Sequence, residues 1–138
     1  MTTREFLVAL DCDDTLFRHN YPDAPPPGDE LGCIPWLKAA KAANPGVRFI
    51  LFSMRHTSSP GRAGDTLTPV ADWLRGHGVE VAGMNTCPGQ SEWTDSPKAY
   101  FHAIVDDRCL GIARDADGAV DWSAVGPQLV AAALRACK

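Results

Sequence analysis

The chain has 138 residues, with 45% hydrophobic and 22% charged side chains and a formal net charge of −4. That length suits one domain built on one core, and the composition is that of a folded chain rather than a disordered one. The negative balance excludes bulk electrostatic binding along a nucleic-acid backbone, but not capture of a nucleic-acid end in a small pocket.

No run approaches the roughly eighteen apolar residues that cross a bilayer. The first apolar run, Phe6 to Leu10, is too short for the core of a signal peptide, so a cytoplasmic protein is expected. The five cysteines (Cys12, Cys33, Cys87, Cys109, Cys137) are scattered and form no C-x-x-C pair. They are expected to be free thiols, neither a disulfide framework nor a zinc knuckle. With no repeat and no low-complexity tract, residues 1–138 are read as a single domain. Two turn-rich segments, Arg18 to Gly28 and Met54 to Gly64, are loops within it.

Phe6-Leu7-Val8-Ala9-Leu10 reads as a strand buried on both faces, as in a parallel sheet. Leu31 to Ala43 carries Ile34, Leu37, Ala40 and Ala43 at helical spacing, and Asn44-Pro45-Gly46 stops it. Val47 to Phe52 is a second strand. Thr68-Pro69 predicts a helix cap followed by proline in the first turn, with Val70, Trp73 and Leu74 facing inward and Gly76 and Gly78 ending the helix. Val79 to Val81 is a weaker third strand.

Ser96-Pro97 repeats the cap-plus-proline pattern and predicts a short helix. Ala103-Ile104-Val105 is a fourth strand. Asp115 to Gly118 predicts a hairpin turn between Gly111–Ala113 and Val120–Trp122, and Ser123 caps a final helix over 125–137. This alternation predicts an α/β fold: a Rossmann-like three-layer sandwich around a central, mostly parallel sheet. Ligands in such folds bind beyond the carboxyl ends of the strands.

At those ends stand Asp11-Cys12-Asp13-Asp14-Thr15, Ser53 and Asp106-Asp107, with Lys98 on the helix expected to feed the fourth strand. Acidic groups gathered at two strand ends repel one another unless a cation neutralises them. A hard divalent ion with oxygen ligands does so, and magnesium suits carboxylates plus substrate phosphate. Taken singly, Asp13-Asp14-Thr15 is a polar turn, Ser53 a strand-end hydroxyl, Lys98 a solvated charge and Asp106-Asp107-Arg108 a surface turn. Their order along alternating strands is what those separate readings leave unexplained.

Leu10-Asp11-Cys12-Asp13-Asp14-Thr15-Leu16 after an apolar strand resembles the first motif, D-x-D-x-T, of the haloacid dehalogenase (HAD) superfamily. Ile50-Leu51-Phe52-Ser53 resembles its second motif, Lys98 its third, and Ile104-Val105-Asp106-Asp107 its fourth. The four occur in order across about residues 6 to 113. Ser96-Pro97-Lys98 and Val105-Asp106-Asp107-Arg108 are similar, more narrowly, to a group of small phosphohydrolase-like HAD proteins without a cap domain. The segments Phe17 to Glu30 and Met54 to Pro97 leave room for a flap but not for a cap, which implies an open pocket.

The resemblance implies a magnesium-dependent phosphomonoesterase. Asp11 would be the nucleophile forming an aspartyl-phosphate, and Asp13 the acid and then the base. The Mg²⁺ ligands would be Asp11, Asp13 through its main-chain carbonyl, and the Asp106-Asp107 pair, with Asp107 the better match to the family's metal aspartate. Ser53 and Lys98 would bind the phosphoryl oxygens, and Thr15 would tie down the turn. The position of Asp14 often holds glycine in this superfamily.

Arg55 is placed either to grip a substrate phosphate or carboxylate with two bonds or to stand as a solvated loop residue, and His56 to face the site. Asn85 and Trp93 stand where a pocket wall is expected, with packing the favoured role for Trp93. His19, His77 and His102 have no partner legible in the sequence. The expected partner is a phosphorylated small molecule or macromolecular end, with no membrane and a homo-oligomer allowed. The alternative is a phosphate- or metal-binding signalling or interaction module, either a receiver-like domain or a catalytically idle HAD fold. A receiver carries its phospho-accepting aspartate on the third strand, which here ends in Gly83-Met84-Asn85.

Overall fold

The structure, a computed structural model, describes residues 4–19, 29–57 and 64–137. The proline-rich run at 22–28, and with it most of the expected flap, lies outside them, as do residues 58–63 of the second turn-rich segment. β1 (Phe6–Leu10) is one of the two inner strands, paired in parallel with β2 (Val47–Leu51) on one side and β4 (Ala103–Val105) on the other. β3 (Val81–Met84) lies parallel beyond β2, giving the order β3-β2-β1-β4. The helices are α1 (Cys33–Ala43), α2 (Thr68–Gly76) and α3 (Trp122–Ala136). This is the expected α/β, Rossmann-like three-layer sandwich, with every described strand pair parallel.

β1 is buried along its whole length because both of its faces are covered. Phe6, Val8 and Leu10 share a core with Phe49 and Leu51 and with Leu37 of α1, Val70 of α2 and Leu129 of α3. Ala9 and Ile50 face the other way, against Ala99 and the partly buried Phe52 and Phe101 of the β3–β4 crossover. Each buried Leu or Val contributes about 1.5–3 kcal/mol. Asn44, also buried, donates from Nδ2 to the Ala133 carbonyl and accepts the Gly46 amide, so the stop after α1 also fastens α3.

Several elements start or end elsewhere than the residue pattern predicts. α1 begins at Cys33, not Leu31, because the Glu30 carboxylate accepts the Cys33 and Ile34 amides. Asp65, not Thr68, caps α2, its Oδ1 accepting the Leu67 and Thr68 amides at 3.0 and 2.9 Å. α3 starts at Trp122, with the Asp121 side chain accepting the Ser123 amide at 3.1 Å. Gly126 lies inside that helix, where a Cβ would meet Trp36 of α1 at 2.2 Å. Strand β3 falls at Val81–Met84 rather than 79–81. The predicted hairpin reduces to a single antiparallel bridge, Arg114 to Val120, around a turn tied by Asp115.

The short helix predicted at Ser96-Pro97 does not form. Ser96 Oγ accepts the Lys98 amide at 3.2 Å in a local side-chain turn. The buried Gln90 side chain donates to the Ser96 and Lys98 carbonyls and accepts the Tyr100 amide, occupying backbone groups a helix would pair. The crossover therefore covers its face of the sheet with one 3-10 turn, Gln90–Glu92, and extended chain. No helix among the described residues is long and apolar enough to cross a membrane.

Candidate functional site

Because β2 and β3 lie to one side of β1 and β4 to the other, the chain direction across the sheet switches between β1 and β4. In such sheets the crevice at the switch, beyond the carboxyl ends of the strands, is where ligands bind. Here it is an open cleft of about 590 Å³. Asp11, Asp13 and Asp14 enter from the turn after β1, Phe52 to Arg55 from the loop after β2, and Asp106 to Arg108 from the end of β4, with His19 on the rim.

Main-chain bonds knit these strand ends together. The Asp11 amide donates to Val105 at 3.0 Å, and the Phe52 amide to Leu10 at 2.8 Å. The chain then turns back on itself: the Thr15 and Leu16 amides donate to Cys12, and Asp14 to Phe17. Asp14 sits in the left-handed region at φ 59°, which glycine adopts without strain. Its carboxylate accepts the His19 amide at 3.0 Å, holding the far side of the turn. Thr15 is buried; its hydroxyl donates to Asp11 Oδ2 at 3.0 Å and accepts the Asp107 amide at 3.1 Å. Trp122 Nε1 donates to the Thr15 carbonyl at 2.6 Å, anchoring the turn to α3.

One carboxylate oxygen from each of Asp11, Asp106 and Asp107 lies within 4.8 Å of the others. Burial, then the Asp106 charge and a hydrogen bond with Asp107, push Asp11 up from 3.8 to about 8. Burial likewise raises Asp107, with Asp106 adding to it. Asp11 and Asp107 thus hold protons more readily than ordinary carboxyl groups do, and a divalent cation would displace those protons.

Asp13 does not join that cluster. Arg55, with none of its side chain exposed, grips both of its oxygens: Nε to Oδ2 at 2.7 Å and Nη2 to Oδ1 at 2.8 Å. Nη1 of Arg55 donates to the Thr66 carbonyl at 3.2 Å, and the guanidinium lies 5.3 Å from the centre of the Phe17 ring. His19 Nδ1 stands 3.7 Å from Asp13 Oδ1 at the cleft edge.

The other candidates divide. Ser53 lines the cleft, its hydroxyl accepting the Arg55 amide at 3.1 Å. Asn85 is not a cleft wall: it accepts the Ser53 amide at 2.8 Å and donates to the Arg55 carbonyl at 2.9 Å, bracing the loop from behind. Lys98 is exposed and lies outside the lining of the cleft, since the turn at Ser96 replaces the helix expected to aim it inward. His56 is exposed and pairs through its main chain with Thr66, away from the cleft lining. Trp93 is exposed, edge-on to Tyr100.

His102 and His77 do have neighbours: Nδ1 of His102 accepts the Leu7 amide at 2.9 Å, and His77 meets the Trp73 ring edge-on. Cys12 points into the core, where burial pushes its thiol up to about 12, and all five cysteines are free. The sequence pattern missed Phe52, Met54, His19 and Arg108 as lining residues. Three of them flank residues already singled out, and adjacency to Ser53 and Asp107 was the available signal.

No family model and no curated protein matches this chain. Among solved structures it is similar to a conserved protein from Bacteroides thetaiotaomicron, at 24% sequence identity and a TM-score of 0.66, over 91% of this chain and 90% of the other. That likeness is one of fold.

Proposed function

We propose that this protein is a magnesium-dependent phosphohydrolase of the HAD type, without a cap, that cleaves phosphate monoesters through an aspartyl-phosphate on Asp11. The observation that carries the reading is the meeting of the Asp11, Asp106 and Asp107 carboxylates at the crevice between β1 and β4, with Asp11 pushed up to about 8. An all-oxygen donor set of that charge suits a hard divalent ion. Asp11, Asp106 and Asp107 would hold it, and when bound it supplies charge neutralisation for the carboxylates and the phosphoryl oxygens. The Asp13 side chain, drawn to Arg55, takes no part in that set.

In the first step Asp11 attacks phosphorus, the ester P–O bond breaks, and Asp13 gives a proton to the departing oxygen. In the second, water attacks the aspartyl-phosphate, Asp13 takes the proton back, and phosphate and Asp11 are released. Ser53 donates to a phosphoryl oxygen, and Arg108, exposed on the cleft wall, meets the substrate's negative charge. Lys98 has no assigned part. The cleft's open mouth suits a macromolecular end or a small ester, and a cytoplasmic setting agrees with five unpaired cysteines.

The test is magnesium-dependent release of phosphate from p-nitrophenyl phosphate. Steady turnover that disappears in Asp11→Asn is expected. One stable phosphoryl group per chain without turnover would instead mark a receiver-like module and overturn the proposal.

A further inference from the structure

We propose that Arg55 is a positioning residue that holds the Asp13 carboxylate for proton transfer at the leaving oxygen, rather than a contact for the substrate's phosphate. The inference rests on the phosphohydrolase reading and assigns a role that the four motifs leave blank.

Three observations carry it. First, the guanidinium is turned inward: none of the Arg55 side chain is exposed, and two of its nitrogens form a fork on the two oxygens of Asp13 at 2.7 and 2.8 Å. A fork of this kind fixes both the distance and the plane of a carboxylate, which a single contact does not. Second, Arg55 is itself fixed from four directions. Nη1 donates to Thr66, the Phe17 ring lies 5.3 Å away, Ser53 Oγ accepts its amide and Asn85 Nδ2 donates to its carbonyl. A substrate-binding arginine at an open cleft needs freedom to reach outward, and this one is anchored instead. Third, Arg55 lies two residues beyond Ser53, so one loop sets both the hydroxyl that meets the phosphoryl group and the clamp on the proton carrier.

A carboxylate has about four lone-pair sites, and the fork engages one on each oxygen. What it restricts is rotation. A general acid misplaced by an ångström loses much of its effect, so a loosened Asp13 should fail where proton transfer matters and remain adequate where it does not.

Leaving-group dependence separates this role from a merely structural one. p-Nitrophenolate departs without a proton, whereas an alkoxide needs one. In magnesium-loaded full-length protein, Arg55→Lys should lower kcat/KM, which reads the steps up to departure of the leaving group and not the later hydrolysis of the aspartyl-phosphate, by about 100-fold for an alkyl phosphate such as glycerol phosphate and by less than about fivefold for p-nitrophenyl phosphate. Asp13→Asn should show the same selectivity, and the double variant should be no worse than Asp13→Asn alone. An equal fall in kcat/KM on both esters overturns the role. Wild-type protein that turns over neither ester overturns the phosphohydrolase reading itself, a distinct result. Should the Arg55 variants not fold, the Arg55 Nε–H resonance of the wild-type protein decides: slow exchange and a shift in Asp13→Asn support the clamp, and a fast-exchanging, unshifted resonance overturns it.

Discussion

Thr15 donates its hydroxyl hydrogen to the Asp11 carboxylate at 3.0 Å, and the same oxygen accepts the Asp107 amide at 3.1 Å. One buried side chain thereby sets the separation between the ends of β1 and β4. Thr15→Val keeps the shape and removes both bonds, leaving the Asp107 amide without its partner. A loss of about 1–3 kcal/mol is expected by thermal melting, together with weaker magnesium binding by titration calorimetry. A variant that binds magnesium as wild type does would deny Thr15 this bridging part.

Asp14 is strained where it stands, at φ 59°. Asp14→Gly relieves the backbone and removes a negative charge that helps raise Asp107, at the loss of one bond to the His19 amide. The gain outweighs a bond at an exposed site, and a stabilisation of about 0.5–1 kcal/mol is expected. Denaturant unfolding at equal slope measures it, and a lower midpoint contradicts the argument. The same backbone geometry accounts for glycine being frequent at this position in the superfamily that the motif resembles.

Stability should fall as pH rises. Asp11 is raised in the folded chain to about 8, from 3.8. Between those values the native state therefore binds more protons than the unfolded state, and each step up in pH favours unfolding. Asp107, raised for the same reason of burial, acts in the same direction. Magnesium should reverse the trend, adding more stability at pH 8 than at pH 5 because it competes with fewer protons. Asp11→Asn should flatten the profile, raise cation-free stability at pH 8 by on the order of 2 kcal/mol and abolish the magnesium response. Melting curves across pH 4 to 9, with and without magnesium, check all three; a flat wild-type profile contradicts the cluster's electrostatics.

Gly126→Ala should weaken the packing of α3 on α1, since the added methyl falls 2.2 Å from the Trp36 ring. The gain in helix propensity, about 1 kcal/mol, is outweighed by overpacking of roughly 1–3 kcal/mol. A lower melting temperature with unchanged magnesium affinity is expected, because the contact lies away from the cleft. Pairing it with Trp36→Leu should restore part of the loss.

The strands and the acidic strand ends were legible in the sequence because both are local facts. Phe6 to Leu10 is apolar throughout, and parallel strands need to be. Asp11, Asp13, Ser53, Asp106 and Asp107 follow apolar runs, and the rule for strand ends sends them to one rim. Helix starts were less legible, since Glu30 and Asp65 cap from outside the helical pattern, and only the folded turn reveals which side chain reaches the amides.

What the tertiary structure alone decided is how those side chains are partnered. Arg55 and Asp13 are 42 residues apart, and nothing in either neighbourhood announces that the guanidinium turns inward to clamp the carboxylate. Ser96-Pro97-Lys98 carries a helix signature, yet Gln90 takes the carbonyls from inside the crossover and leaves Lys98 on the surface. Composition and periodicity determine which residues must be buried and where strands stop, because those follow from the chain's own chemistry. The choice among competing hydrogen-bond partners depends on which groups the fold brings within about 3 Å, and that is a property of the packed chain.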